Sequence, residues 1–209
     1  MSELGLRCEC GALRGRVDLA RRRCLRLACY CRDCQALAWF LERPDEFLDA
    51  NGGTEILQTS PARVEFSAGT EHIACMRMGP KGPLRWYASC CNTPVANTLA
   101  KANMPFAGVN SRIWDPELDE PARAALLGPV SARVNGPGYP DQDGKLPEIH
   151  KFPALVIARS IRLLAGSWLR NEHWPTPFFD ADGEPLAVPN LISRTEREAL
   201  QAKVARQYL

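Results

Sequence analysis

Three cysteines, Cys29, Cys31 and Cys34, fall within six positions of the stretch ACYCRDCQAL, residues 28–37. Thiolates are soft ligands that hold zinc at about 2.3 Å in a tetrahedron, and cysteines separated by one or two residues let one tight turn aim several sulfurs at the same ion. This knuckle joins a CxC to a CxxC, so one local element offers three ligands, and no histidine follows at a spacing that would close the shell. Three protein ligands with one open position are the usual mark of a catalytic zinc, whereas a structural zinc is closed by four. The expectation is a metal on Cys29, Cys31 and Cys34 with an exchangeable fourth ligand.

A second group begins at Cys8-Glu9-Cys10-Gly11, where the glycine permits the positive backbone angle that a metal knuckle often needs. It supplies two thiols and requires distant partners. Cys90 and Cys91, at the end of LRWYASCC, are the candidates. Cys24 and Cys75 sit inside strand-like patterns, where a lone cysteine is more often a small buried hydrophobe than a ligand. His72, His150 and His173 are isolated and are assigned no metal. Arg26 and Arg32, near the knuckle, could hold the carboxylates of an anionic thiol, with solvated surface charge as the plainer reading. Asp33 could assist proton transfer or simply shape the turn.

The elements that must position these groups read as mainly β. Short strands are expected in LRCECGALRGRVDL and RCLRLACYC, around Gly11 and the arginine-rich turn Arg21 to Arg23, with thiols at or near strand ends. After Cys34 the run QALAWFLER predicts a short helix that stops before Pro44, since proline disfavours helical backbone at the residue preceding it. Between residues 54 and 99 apolar residues alternate, with turns at Ala68-Gly69 and Gly79-Pro80-Lys81-Gly82-Pro83, predicting three or four antiparallel strands. Residues 103–150 are rich in proline and glycine and read as loops carrying short elements over Glu120 to Leu127 and Val130 to Val134. From Pro153 to Arg170, Ile157, Ile161, Leu164 and Trp168 recur at helical spacing with arginines on another face, which predicts an amphipathic helix docked on the sheet. Ser193, followed three residues later by Glu196, has the spacing of a capping box and opens a last helix.

At 209 residues and 45% hydrophobic content the chain can bury a full core, so disorder is not the default. Lysine and arginine number 26 against 24 acidic residues, which gives no electrostatic support for a nucleic-acid partner. The opening residues lack the pattern of a signal peptide and no apolar run is long enough for a membrane span, so a cytoplasmic protein without a membrane partner is expected. Nine cysteines in such a chain point to metal rather than disulfides, and all nine precede residue 92.

Taken in order, CxCG near the start, CxCxxCQ about twenty residues later, and an aromatic strand ending in cysteine before a Thr-Pro pair, here WYASCCNTPVAN, resemble the glutathione-dependent formaldehyde-activating enzyme family, whose relatives include the centromere protein V type. The resemblance covers about residues 5–100. It implies a β-tent fold, an active-site zinc on Cys29, Cys31 and Cys34, and a structural zinc with Cys8, Cys10 and Cys91 among its ligands. The departure is at Tyr87-Ala88-Ser89-Cys90-Cys91, where Ala88 stands in place of an expected ligand. Either Cys90 supplies the fourth sulfur through a distorted turn, or the site is lost or completed by another residue. The resulting expectation is a zinc-binding β domain over residues 1–105, with loops and amphipathic helices of 106–209 packed on it. One or two zinc ions are expected per chain. The expected activity is a carbon–sulfur lyase type acting on the adduct of a small aldehyde with a thiol such as glutathione; the alternative is a zinc-stabilised interaction module.

Overall fold

The computed structural model describes residues 3–19, 23–134 and 153–206, so Arg21, Arg22 and the stretch 135–152 with His150 lie outside the described residues. The fold is mainly β, as the sequence predicts. Strands β1 (Glu3–Arg7), β2 (Arg14–Asp18) and β5 (Val64–Ala68) form a small antiparallel sheet in the order β1-β2-β5. The large sheet has the order β10-β3-β4-β9-β8-β7-β6-β11. Its strands are β3 (Leu25–Cys29), β4 (Thr54–Thr59), β6 (Ile73–Arg77), β7 (Leu84–Ala88), β8 (Thr93–Thr98), β9 (Ala107–Asn110), β10 (Ala132–Val134) and β11 (Asn190–Leu191). The six inner strands run antiparallel, and the two edge strands β10 and β11 pair in parallel with β3 and β6.

Residues 54–98 hold five strands, more than the alternation alone predicts. One of them, β5, leaves its neighbours to pair with β2, a long-range choice that periodicity does not encode. Gly69 makes that return possible: its φ is +75°, and a Cβ there would lie 2.3 Å from the Ala12 carbonyl oxygen. Between the sheets Leu4, Leu6 and Val17 pack with Leu57, Trp86, Val109 and Trp114 in one buried cluster. Position 105 is followed at once by β9, which lies between β4 and β8, so residues on both sides of it share the large sheet.

Helix α1 (Arg32–Phe40) begins inside the cysteine knuckle, three residues before the predicted run, because Cys31 serves as its N-cap and its Sγ accepts from the Cys34 amide at 3.3 Å. The helix ends before Pro44, which opens the one-turn α2 (Pro44–Phe47). Helix α3 (Glu120–Leu127) is capped by Asp119, and α5 (Arg194–Arg206) by Ser193, whose Oγ accepts from the Glu196 amide at 3.1 Å. Leu200 and Val204 of α5 share a buried cluster with Leu37 of α1 and Leu41 at its C-terminal cap.

Helix α4 (Ala154–Leu169) corrects one expectation. It docks on Leu25, Leu27 and Ile56 through Val156 and Leu163, with Ser160 donating to Gln58 at 2.8 Å. The stripe Ile157, Ile161 and Trp168 lies beside that contact rather than in it, with 43%, 59% and 58% exposure. Sheet shape selected a narrower face than apolarity did. No described helix is long and apolar enough to cross a membrane.

Candidate metal centres

Two groups of cysteines come together, Cys8, Cys10, Cys90 and Cys91 in one and Cys29, Cys31 and Cys34 in the other, each with sulfurs within 4.8 Å of one another. Both clusters could hold a metal ion. Four sulfurs bound at 2.3 Å in a tetrahedron stand roughly 3.8 Å apart. In the first cluster the Sγ separations are 3.6 Å for Cys8–Cys10, 3.8 Å for Cys8–Cys90, 3.3 Å for Cys10–Cys90 and 3.8 Å for Cys90–Cys91. In the second, Cys34 and Cys29 are 3.6 Å apart. The donor sets therefore fit a thiophilic ion in type and in spacing.

The four-cysteine cluster joins the two sheets. Cys8 and Cys10 lie on the β1–β2 turn, where Gly11 has φ +77° and the Leu13 amide donates to Cys8 Sγ at 3.2 Å. Cys90 and Cys91 lie on the β7–β8 turn. Ala88 ends β7 fully buried in the core, and the turn continues through Cys91, whose amide donates to the Ala88 carbonyl at 3.3 Å, to Asn92 at φ +56°. That compact turn sets two consecutive cysteines against the same partners. Thr93 ties the knuckles together, accepting from the Glu9 amide at 3.1 Å and standing 3.1 Å from Cys91 Sγ. Burial raises the Cys91 thiol, but hydrogen bonds with Thr93 and Cys10 outweigh it and hold it down at about 6. Cys90 is pushed up by desolvation and by the neighbouring thiols.

The three-cysteine cluster sits where β3 ends and α1 begins. Gln35 locks the knuckle by donating from Nε2 to the Tyr30 carbonyl at 2.9 Å, and Val134 of β10 packs over the sulfurs. Hydrogen bonds to Cys31 and Cys34, then burial, push Cys29 well above the usual thiol range. A hydrogen bond with Cys29 lowers Cys31, yet its bond to Cys34 and burial carry it to about 12. Cys34 goes the other way, held well below that range by hydrogen bonds from Cys29 and Cys31 and by the Arg85 guanidinium.

Arg85 is the residue that the cysteine pattern did not reveal. It lies in the middle of β7 with 4% exposure, and its Nη1 stands 3.8 Å from Cys34 Sγ and 3.3 Å from Asn97 Oδ1. It has no carboxylate within ion-pair range among the described residues, and the charges that act on it are those of Cys34, Cys31 and, beyond ion-pair range, Asp33. The one sequence signal was a cation inside LRWYA, an otherwise apolar strand. Beside Cys34 and Arg85, Thr54, Asn97 and Asn110 line a cavity of about 10 Å3, roughly what one water requires.

Arg26 and Arg32 part company. Arg26 is buried and committed to Glu55, to both oxygens of Glu120 at 2.9 Å and to the Gly128 carbonyl at 3.1 Å, so it is not free to hold a substrate carboxylate. The sequence could not show this, because both acids are distant along the chain. Arg32 is exposed at the first position of α1. Asp33 pairs with Arg197 at 3.1 Å and accepts from Gln201 at 3.2 Å, so it anchors α5. Cys75 is buried in β6 and Cys24 precedes β3, and neither belongs to a cluster. His72 and His173 belong to neither cluster. A family model described as a family of unknown function (DUF6151) matches residues 1–189. No curated protein and no solved structure matches the chain.

Proposed function

The chain belongs to DUF6151, a family of unknown function, and from that premise we propose that it is a zinc enzyme of the carbon–sulfur lyase type, acting on the adduct of a small aldehyde with a thiol such as glutathione. The observation that carries this reading is the three-sulfur cluster of Cys29, Cys31 and Cys34, which gathers no fourth protein donor among the described residues. The resemblance of the cysteine motifs to the formaldehyde-activating family supports the same substrate class. A zinc ion held there supplies a Lewis acid at which a fourth ligand loses its proton near neutral pH.

The reaction class is the reversible addition of a thiol to an aldehyde: a carbon–sulfur bond forms, the carbonyl π bond breaks, and the thiol proton ends on the oxygen. The chain's own residues prepare for it electrostatically. Three thiolates around a divalent ion leave one net negative charge, and Arg85 offsets it from inside the fold. Cys31, as N-cap of α1, places its sulfur at the positive end of the helix. Arg32, exposed beside it, is the remaining cation for a carboxylate of the incoming thiol. At the other cluster, Cys8, Cys10, Cys90 and Cys91 would hold a closed, structural zinc between the sheets.

The second reading is a zinc-stabilised module without catalysis. One observation favours it: the cavity at Cys34 is about 10 Å3, room for one water and not for a tripeptide thiol. Cobalt separates the readings. With cobalt in place of zinc, glutathione should shift the visible spectrum as a fourth sulfur enters the shell, and Cys34→Ser should abolish that shift while the other cluster keeps its absorption. A spectrum indifferent to glutathione and to other small thiols would leave the structural module as the better reading.

A further inference from the structure

On the face of the large sheet opposite the three-cysteine cluster lies a cavity of about 300 Å3 lined by Ala28, Tyr30, Trp114, Arg112, Arg123 and Arg133 among others. The alternation of β3 and β10 separates the two sites. Cys29 and Val134 pack together on one side, while Ala28 packs with Tyr30 on the other and Arg133 sits in register with Ala28. A second cavity of about 220 Å3, lined also by Arg7, Cys8 and Glu9, shares Arg112, Phe47, Trp114 and Pro116 with the first and so adjoins that slot.

The charges lining this slot are unequal in what they already do. Asp49 is used up: its Oδ1 accepts from the Asn51 and Gly53 amides at 2.8 Å each, and its Oδ2 from the Tyr30 hydroxyl at 3.0 Å. Glu55 is taken by Arg26, and Glu9 and Glu46 are both taken by Arg43. Arg112, Arg123 and Arg133, by contrast, make no ion pair among the described residues, and Arg133 has the neutral Tyr30 hydroxyl as its side-chain partner. Arg123 Nε and Trp114 Nε1 are buried without a hydrogen-bond partner among the described residues. Arg112 is held in place from behind, since its amide donates to Asn110 Oδ1 at 2.9 Å. Burial and the neighbouring Arg123 charge lower the Arg112 guanidinium, with Glu46 and Asp49 offsetting only part of this.

We propose that this slot is a binding site for a small polyvalent oxyanion, a ligand bearing a phosphoryl group or paired carboxylates, held by Arg112, Arg123 and Arg133. Three guanidiniums from three elements, the turn after β9, helix α3 and the edge strand β10, converge on one cavity although like charges repel. An anion removes that repulsion, and the planar fork of arginine matches phosphate and carboxylate oxygens in pairs. The volume is at the lower bound of small-molecule sites. With a net charge of +2 the chain offers little general attraction for anions, so affinity must come from this cluster. The inference does not depend on the activity proposed for the cysteines.

The test is calorimetric titration of the purified full chain, at low ionic strength in a zwitterionic buffer, with inorganic phosphate and separately with succinate. Saturable binding of at least one, with Kd below about 1 mM, is expected; which anion binds tells a phosphoryl ligand from a dicarboxylate. Arg112→Gln with Arg123→Gln should weaken it tenfold or more. Relief of like-charge repulsion should leave the melting temperature of that variant unchanged or raised, so lost binding is not lost folding. Lys81→Gln with Lys101→Gln removes the same charge from exposed positions elsewhere and should keep the affinity. No saturable binding of either anion, or equal weakening by the two double variants, would overturn the proposal.

Discussion

Cys10 and Cys31 sit in clusters of different completeness, and replacing each should produce different losses. Cys10→Ser breaks a four-sulfur site that spans the β1–β2 and β7–β8 turns, so it should lower the melting temperature markedly along with zinc content, because metal affinity at such a site is folding free energy. Cys31→Ser should lose about one zinc by elemental analysis while sparing most of the stability. Equal unfolding by both would sink the division of roles. Arg85→Met keeps the apolar stem in the sheet and removes the charge beside Cys34. Outer partners of metal ligands typically account for 10- to 100-fold in affinity, so competition with a chromophoric chelator should show a drop of about that size at the three-cysteine site only. Unchanged affinity would make Arg85 a folding residue.

At the scale of elements, the seat of the three-cysteine knuckle depends on a helix from the far end of the chain. Leu200 of α5 is buried against the α1 cluster, and Arg197 and Gln201 hold Asp33 inside the knuckle itself. Leu200→Ala should therefore cost about 2–4 kcal/mol in denaturant unfolding and also speed chelator-driven loss of metal from that site. Stability loss without faster metal loss would separate α5 from the centre. The C-terminus of α4 is tied down by Glu172, which accepts from Arg23 at 2.8 Å, Arg170 at 2.9 Å, Arg63 at 3.1 Å and Ser167 at 2.8 Å. Burial opposes its charge, but these donors hold the carboxyl well below the usual carboxylate range. A depressed carboxylate contributes fully above its unfolded value of about 4.3 and loses that contribution as pH falls toward the folded one. Glu172→Gln should then cost about 2–3 kcal/mol at neutral pH, because it removes the carboxylate that Arg23, Arg63 and Arg170 share, although Arg63 keeps Asp18 at 3.3 Å. Its stability gap to the wild type should narrow in urea titrations as pH drops below about 4. A gap that stays constant down to pH 3 would contradict the assignment.

At the scale of the whole molecule, the two sheets share a buried cluster and are bridged by the four-cysteine group. Removing metal with a strong chelator under reducing conditions should loosen the small sheet first. Amide exchange in β1 and β2 should rise before that in β8 and β9, which lie inside the large sheet. Uniform exchange across both sheets would show that the shared core, not the metal bridge, couples them.

The sequence by itself determined the elements and the chemistry that sits within a few residues. The spacing of Cys29, Cys31 and Cys34, the stop before Pro44, the short element from Glu120 to Leu127 and the cap at Ser193 are local, set by backbone preference and short-range hydrogen bonds. Pairing Cys90 and Cys91 with Cys8 and Cys10 was also legible, because ligand supply left few other partners. What only the tertiary structure decided is where distant groups meet. Arg26 became buried because Glu55 and Glu120 arrive from separate elements, and Arg85 became the counter-charge of Cys34 because β7 brings its guanidinium within 3.8 Å of that sulfur. The apolar stripe of α4 stayed exposed because the sheet offers Leu25, Leu27 and Ile56 to Val156 instead. Periodicity states which side of an element is apolar. Which apolar or charged side finds a partner is fixed by strand order, and strand order is a long-range pairing that no local pattern carries.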